Sequence, residues 1–177
     1  MSTSSKARKG WRWAAALLAV ALLFAPLEAL TVRPSRGSGL IWAARAAPGD
    51  RFTLRWTHTV TLRPVEEEYE VGAGRRLHLR QLVFDQYGPN LPSGPEGGTV
   101  WRVEEDRWVV TGYQIVLDRL NLGLSHIDHR LIAGGRELDL IAATEPNGLV
   151  RLQVERVPRI LIIWTEVWQW RTSKRLP

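Results

Sequence analysis

The sequence predicts an all-β fold, an antiparallel sandwich or partly open barrel, preceded by one N-terminal hydrophobic helix. Three observations predict it. After Leu30 no stretch holds an apolar period of 3.6 residues over three turns, short alternating runs recur instead, and Gly, Pro or Asn bound most of them. The 177 residues are enough for one domain plus an appendage.

The first element is the N-terminal segment. Lys6, Arg8, Lys9 and Arg12 precede Trp13–Leu27, which has no charge in 15 residues. A positive flank before an apolar run reads as an uncleaved signal anchor or a cleavable signal peptide. Cleavage after Ala29 would set Leu27 at the −3 position, a poor match, whereas the 20 residues Trp11–Leu30 equal a bilayer span. The anchor is the preferred reading. Residues 1–30 are therefore assigned to the basic flank and anchor or signal peptide. Residues 31–177 form a domain outside the cytoplasmic membrane, anchored there, or secreted if the N-terminus is cleaved.

The expected strands follow in order: Leu40–Arg45, Arg51–Val60, Val65–Val71, Arg75–Phe84, Thr99–Val103, Arg107–Val110, Tyr113–Leu117, Ser125–Ala133, Arg136–Ile141, Leu149–Val154 and Arg159–Trp164. Gly72-Ala73-Gly74, Gly134-Gly135 and Pro146-Asn147-Gly148 are expected turns, carrying residues that tolerate positive φ. Asp85–Gly98, DQYGPNLPSGPEGG, is different, with three prolines and four glycines. An irregular loop of that length in a compact domain is usually functional or disordered.

Charge and composition exclude several functions. Residues 31–170 hold 17 Lys or Arg against 17 Asp or Glu, so the basic excess lies at the two ends. A basic nucleic-acid face on the body is not supported, and no nucleic-acid partner is expected. Without cysteine there are no disulfides, thiolate metal sites or cysteine nucleophiles. GxSxG, HExxH and phosphate-cradling glycine loops are absent too. No cofactor, metal or catalytic residue is assigned.

Strand parity sorts the ionisable residues. In Arg51–Val60 the apolar face is Phe52, Leu54, Trp56, His58 and Val60; in Val65–Val71 it is Val65, Glu67, Tyr69 and Val71. A hairpin turning at Thr61–Pro64 sets Val60 opposite Val65, Trp56 opposite Tyr69, and His58 opposite Glu67. A two-residue turn at Gly134-Gly135 sets Leu131 opposite Leu138 and His129 opposite Leu140, with His126 and Asp128 turned away. The string His126-Ile127-Asp128-His129 would converge on a metal only as a helix. His78 reads as an inert outward histidine. Glu66, Glu68 and Glu70 read as a solvated face or as an acidic docking stripe. The cluster His58, Glu67 and His129, with Arg63 at the hairpin tip, is left open among three roles: a hydrogen-bonded pair fixing register, a ligand or partner contact, and acid–base or zinc chemistry.

The stretch RFTLRWTHTVTLRPVEEEYEV, residues 51–71, resembles the opening motif of the domain-of-unknown-function family numbered eighteen-fifty. His58-Thr59-Val60, Pro64, Glu67 and Tyr69 match its pattern. Phe84, Tyr87-Gly88 and Leu91-Pro92 resemble its phenylalanine–glycine…leucine–proline loop. Asp128-His129-Arg130-Leu131 with Gly134-Gly135 and Leu138 resembles its second histidine segment. The likeness spans about residues 38–155. Thr61 departs from the glutamate often found there, Pro89-Asn90 replaces a small pair, and Arg159–Pro177 is an extension. The resemblance implies a small, N-terminally anchored protein associated with TAXI-type TRAP transporters. The expected partners are the membrane through Trp11–Leu30, from the span reading, and a TRAP permease or its solute-binding protein, from the resemblance. The expectation is a non-enzymatic extracytoplasmic accessory domain. The rivals are a periplasmic hydrolase or isomerase with His58 as base and Glu67 as orienter, and a structural envelope interaction protein. The Trp164, Trp168 and Trp170 series with Arg171, Lys174 and Arg175 is either a membrane-interface contact or a final strand with a frayed basic tail.

Overall fold

The computed structural model describes residues 4–144 and 148–173, with side chains over residues 10–144 and 148–167. It is mostly β: helix α1 (Ser4–Phe24), twelve strands and helix α2 (Arg159–Ser173). A short antiparallel sheet orders β2 (Trp42–Arg45), β1 (Pro26–Pro34), β12 (Leu149–Pro158) and β9 (Leu120–Gly123). A long antiparallel sheet orders β11 (Arg136–Asp139), β10 (His129–Ala133), β3 (Arg51–Thr57), β4 (Pro64–Val71), β5 (Leu77–Phe84), β7 (Arg107–Thr111) and β6 (Val100–Glu104). β8 (Val116–Leu117) pairs with β5 off that path. Both sheets are open, and neither closes into a barrel. Ten of the expected strands are found, several of them shortened.

The N-terminal span is not formed. α1 stops at Phe24 because Pro26 has no N–H to donate and its ring disfavours the helical conformation at Ala25. Pro26–Pro34 is a strand at the centre of the short sheet, paired to β12 from Pro26↔Pro158 to Pro34↔Val150 and to β2 from Ala29↔Arg45 to Val32↔Trp42. Leu30 and Val32 face the long sheet, whereas Ala29 faces α2. A strand buried on both faces is continuously apolar, which made it indistinguishable from the end of a membrane helix. No described helix is long and apolar enough to cross a membrane. Cleavage after Ala29 would remove Pro26–Ala29 from this central strand.

Arg159–Trp164 is helical, not a strand. α2 lays Ile162 and Thr165 on the short sheet, where Ala29 and Ala43 leave room for close approach. Thr165 Oγ1 donates to the Ala43 carbonyl at 3.2 Å. This docking overrides the β preference of the isoleucine-rich sequence. The Trp168, Trp170 and Arg171 side chains, and all of Lys174 and Arg175, lie outside what is described. So do residues 145 to 147, including Pro146-Asn147 of an expected turn.

The two sheets face each other through one core that contains Val32, Trp42, Leu152, Leu54, Leu77 and Leu131, and fully burying a Leu-sized side chain stabilises by about 1.5–3 kcal/mol. The long sheet extends past the short one. Its overhanging corner, with Val65, Leu82, Phe84 and Val110, forms a second core against Leu91, Trp101 and Trp108. The outer face of the long sheet is tiled with ion pairs. Arg51 meets Glu68 at 2.9 Å, Arg55 meets Glu66 at 3.1 Å and Arg80 meets Glu70 at 3.0 Å. The Glu66/Glu68/Glu70 row is thus matched by arginines instead of presenting bare acid to a partner.

Candidate functional site

The expected His58–Glu67 contact is absent, and the register explains why. β3 pairs with β4 as Phe52↔Tyr69, Leu54↔Glu67, Trp56↔Val65 and Thr57↔Pro64. The connection is therefore His58–Arg63, longer than the four-residue turn that parity assumed. His58 N–H donates to the Arg63 carbonyl at 2.9 Å, and Leu62, at φ 57°, donates to the His58 carbonyl at 2.8 Å. Glu67 lies four residues along β3 from His58, roughly 13 Å at about 3.3 Å per residue.

His58 is buried and both ring nitrogens are engaged. Nδ1 accepts from the Val60 and Thr61 N–H groups, each at 3.2 Å. Nε2 therefore carries the proton and donates to the Pro89 carbonyl at 2.9 Å. Gly88 lies close against the ring, since a Cβ there would come within 2.9 Å of Cε1 and Nε2. Arg63 donates to Asp85 Oδ2 through Nε at 2.9 Å and through Nη2. That hydrogen bond holds the Asp85 carboxyl below the usual carboxylate range despite some desolvation. Tyr87 stacks on Trp101 at 6.5 Å, and Leu91 enters the second core, its N–H donating to Gly88 at 3.1 Å. Pro92 is half-buried beside it, and Pro64 opens β4 at the exposed end of the hairpin. The segment 85–98 is thus a cap over the overhanging corner, and His58, Arg63, Tyr87, Gly88 and Leu91 are its fastenings. Thr61 Oγ1 is buried here without a hydrogen-bond partner among the described residues.

Glu67, Tyr69 and His129 belong to a different place. Following one row across the inner face of the long sheet gives Leu138, Leu131, Leu54, Glu67, Leu82, Val110 and Trp101. Glu67 is the sole polar side chain in that row. The Tyr69 hydroxyl donates to Glu67 Oε2 at 2.7 Å, and the Tyr69 ring stacks on Phe52 at 5.2 Å. Burial and the Glu67 charge push the Tyr69 phenol far up. Burial and the same charge push Tyr113 up to about 12. Tyr113 touches both cores, and its hydroxyl is buried without a partner among the described residues.

His129 opens β10 opposite Trp56, and its carbonyl accepts from Leu140 N–H at 2.9 Å, in agreement with the pairing expected from the Gly134-Gly135 turn. Its Nδ1 lies 2.7 Å from the Ile127 carbonyl. Trp56 touches both imidazoles, 5.8 Å from His58 and 6.4 Å from His129. His129 and Glu67 line one cavity of about 210 Å³ with Leu54, Trp56, Leu122 and Leu140. It lies where the short sheet ends at β9. The sequence reading missed β9, and with it Leu122 and Gly123; its alternating Leu120-Asn121-Leu122 was the available signal. Residues 126 and 127 form a bend, so the His-Ile-Asp-His string is not a helical face, and among the described residues no group of His, Asp and Glu is placed to hold a metal ion. The His78 ring packs over Gly72, filling the space a Cβ would take.

A family model described as Domain of unknown function (DUF1850) matches residues 52–140, just over half of the chain and all three motif segments. No curated protein and no solved structure matches.

Proposed function

The chain belongs to the DUF1850 family, and from that premise we propose that it is a non-enzymatic accessory domain of a TRAP-type (TAXI) solute transport system, working by binding outside the cytoplasmic membrane. One observation carries the binding part. A carboxylate and an imidazole line the same cavity, among the apolar side chains Leu54, Trp56, Leu122 and Leu140. Each is half-buried with one polar atom bonded within the protein, Glu67 Oε2 to Tyr69 and His129 Nδ1 to the Ile127 carbonyl, and its second polar atom has no hydrogen bond among the described residues, which serves a guest better than it serves packing. The rival hydrolase or isomerase, with His58 as base and Glu67 as orienter, needs a free nitrogen on His58. Both of its nitrogens are bonded to backbone groups.

The remaining parts of the proposal concern place and partner. Trp11, Trp13, Leu17, Leu18, Leu22 and Phe24 of α1 are exposed, and the helix begins in a basic segment. We assign α1 to the lipid surface as an interfacial contact instead of a span. The partner is the permease or its solute-binding protein. Deleting the gene and measuring solute uptake tests the role: uptake falls and is restored by the wild-type chain. Normal uptake in the deletion strain, with the neighbouring carrier intact, overturns it.

A further inference from the structure

Among the side chains that line the cavity beside β9, Glu67 and His129 are the two that present lone pairs, and the Trp56 indole is a donor only. His129 Nδ1 sits 2.7 Å from a carbonyl, so it carries the proton and Nε2 is left as an acceptor. Glu67 receives Tyr69 on Oε2, while Oε1 has no hydrogen bond or ion pair among the described residues. Arg55 and Arg130 also border the cavity, but strand alternation sends their side chains to the outer face. There Arg55 is bound to Glu66 at 3.1 Å, and Arg130 to Asp128 and Glu137 at 2.7 and 2.9 Å. No cation is left to neutralise Glu67 from within, and the other walls are Leu54, Trp56, Leu122 and Leu140.

Each class of guest meets this lining differently. An anion faces the Glu67 carboxylate across a small apolar-walled pocket and is repelled. A neutral hydroxyl bonds one acceptor and leaves the charge uncompensated. A quaternary ammonium compensates the charge but has no N–H for His129. A primary ammonium does both, with charge-assisted hydrogen bonds. Size sets the rest: a cavity of about 150 Å³ accommodates benzene, so the 210 Å³ here admits one ring or a short branched chain together with an amino group.

We infer that this cavity binds a primary ammonium ion with a short apolar body, the N–H groups bonding Glu67 Oε1 and His129 Nε2 and the body lying against Leu54, Trp56 and Leu140. The inference rests on the binding reading above and adds the ligand class to it.

Calorimetric titration of the full chain with benzylamine and isoamylamine tests it, with benzyl alcohol, benzoate and benzyltrimethylammonium as controls. Both amines bind saturably, and benzyl alcohol and benzyltrimethylammonium bind at least about tenfold more weakly. Benzoate does not bind. Glu67→Gln weakens benzylamine by at least about tenfold and leaves benzyl alcohol unchanged. If that variant fails to fold, the ladder of probes on the wild-type chain decides alone. Benzyl alcohol or benzoate binding as tightly as benzylamine overturns the ammonium assignment, as does no saturable binding of either amine. The uptake defect of the deletion strain is independent of these results, so failure of the ligand class is told apart from failure of the transport role.

Discussion

The inner face of the long sheet is closed by two different covers. Around Leu54, Leu77 and Leu131 the cover is a second sheet, a stiff layer that ends at the β9 edge and leaves a gap there. Around Val65, Phe84 and Val110 it is the segment 85–98, a loop that moulds itself to the corner. A loop laid over an apolar surface brings backbone carbonyls that need donors. His58 supplies one to Pro89. The two histidines consequently differ: the one under the loop is consumed by the fold, and the one beside the sheet edge keeps a nitrogen for the cavity.

The sharpest way to break this comparison is to remove one group from each side. His58→Ala leaves the Pro89 carbonyl and two N–H groups without their partner and opens a void, so it destabilises by about 2–4 kcal/mol. Amide exchange in residues 85–98 accelerates with it. Glu67→Gln retains an acceptor for Tyr69 and costs under about 1 kcal/mol. Urea unfolding of the two variants measures both. Equal losses would mean that the cavity side is as structural as the cap.

A smaller effect sharpens the loop side alone. Gly88→Ala drives a methyl group against a ring that three hydrogen bonds hold in place, with the Thr61 methyl only 3.1 Å away. The expected loss is about 1–2 kcal/mol. In a His58→Ala background the obstruction is gone and the same substitution costs less, a coupling that a double-mutant cycle reads. Additive losses would place the ring elsewhere.

What could be seen in the sequence divides along the same line. The apolar faces of β3 and β4, and the His129–Leu140 hydrogen bond that continues the β10–β11 register, follow from alternation and a two-residue glycine turn, which are local and rigid rules. The His58–Glu67 pairing failed because hairpin register depends on loop length. Here Leu62 at positive φ lets six residues close where four were assumed. β1 was hidden for a different reason: a strand covered on both sides has the composition of a lipid-embedded helix, and only its partners β2 and β12 tell them apart. α2 needed the alanines of the short sheet to show themselves as a docking surface. The cavity was the least visible of all, because a gap belongs to no segment and appears only when the β9 edge is laid over the inner face of the long sheet.

The finest test asks how much of the cap is held by charge. Arg63 donates to Asp85 through two nitrogens and depresses its carboxyl pKa in the folded chain. A carboxyl whose folded pKa lies below its unfolded value, about 3.9 for Asp, contributes stability above that value. The contribution is lost as pH falls through the lower folded value. Urea midpoints followed from about pH 5 to pH 2 therefore decline more for the wild type than for Asp85→Asn. Glu70 and Glu155, depressed in the same sense, decline alike in both chains and cancel in the comparison. Arg63 is largely exposed, so solvent screens the pair and the difference between the two curves is small. It shrinks further in about 1 M salt, where the screening length is about 3 Å. Parallel curves at low salt would mean that His58 and the apolar contacts of Leu91 hold the loop without help from the ion pair.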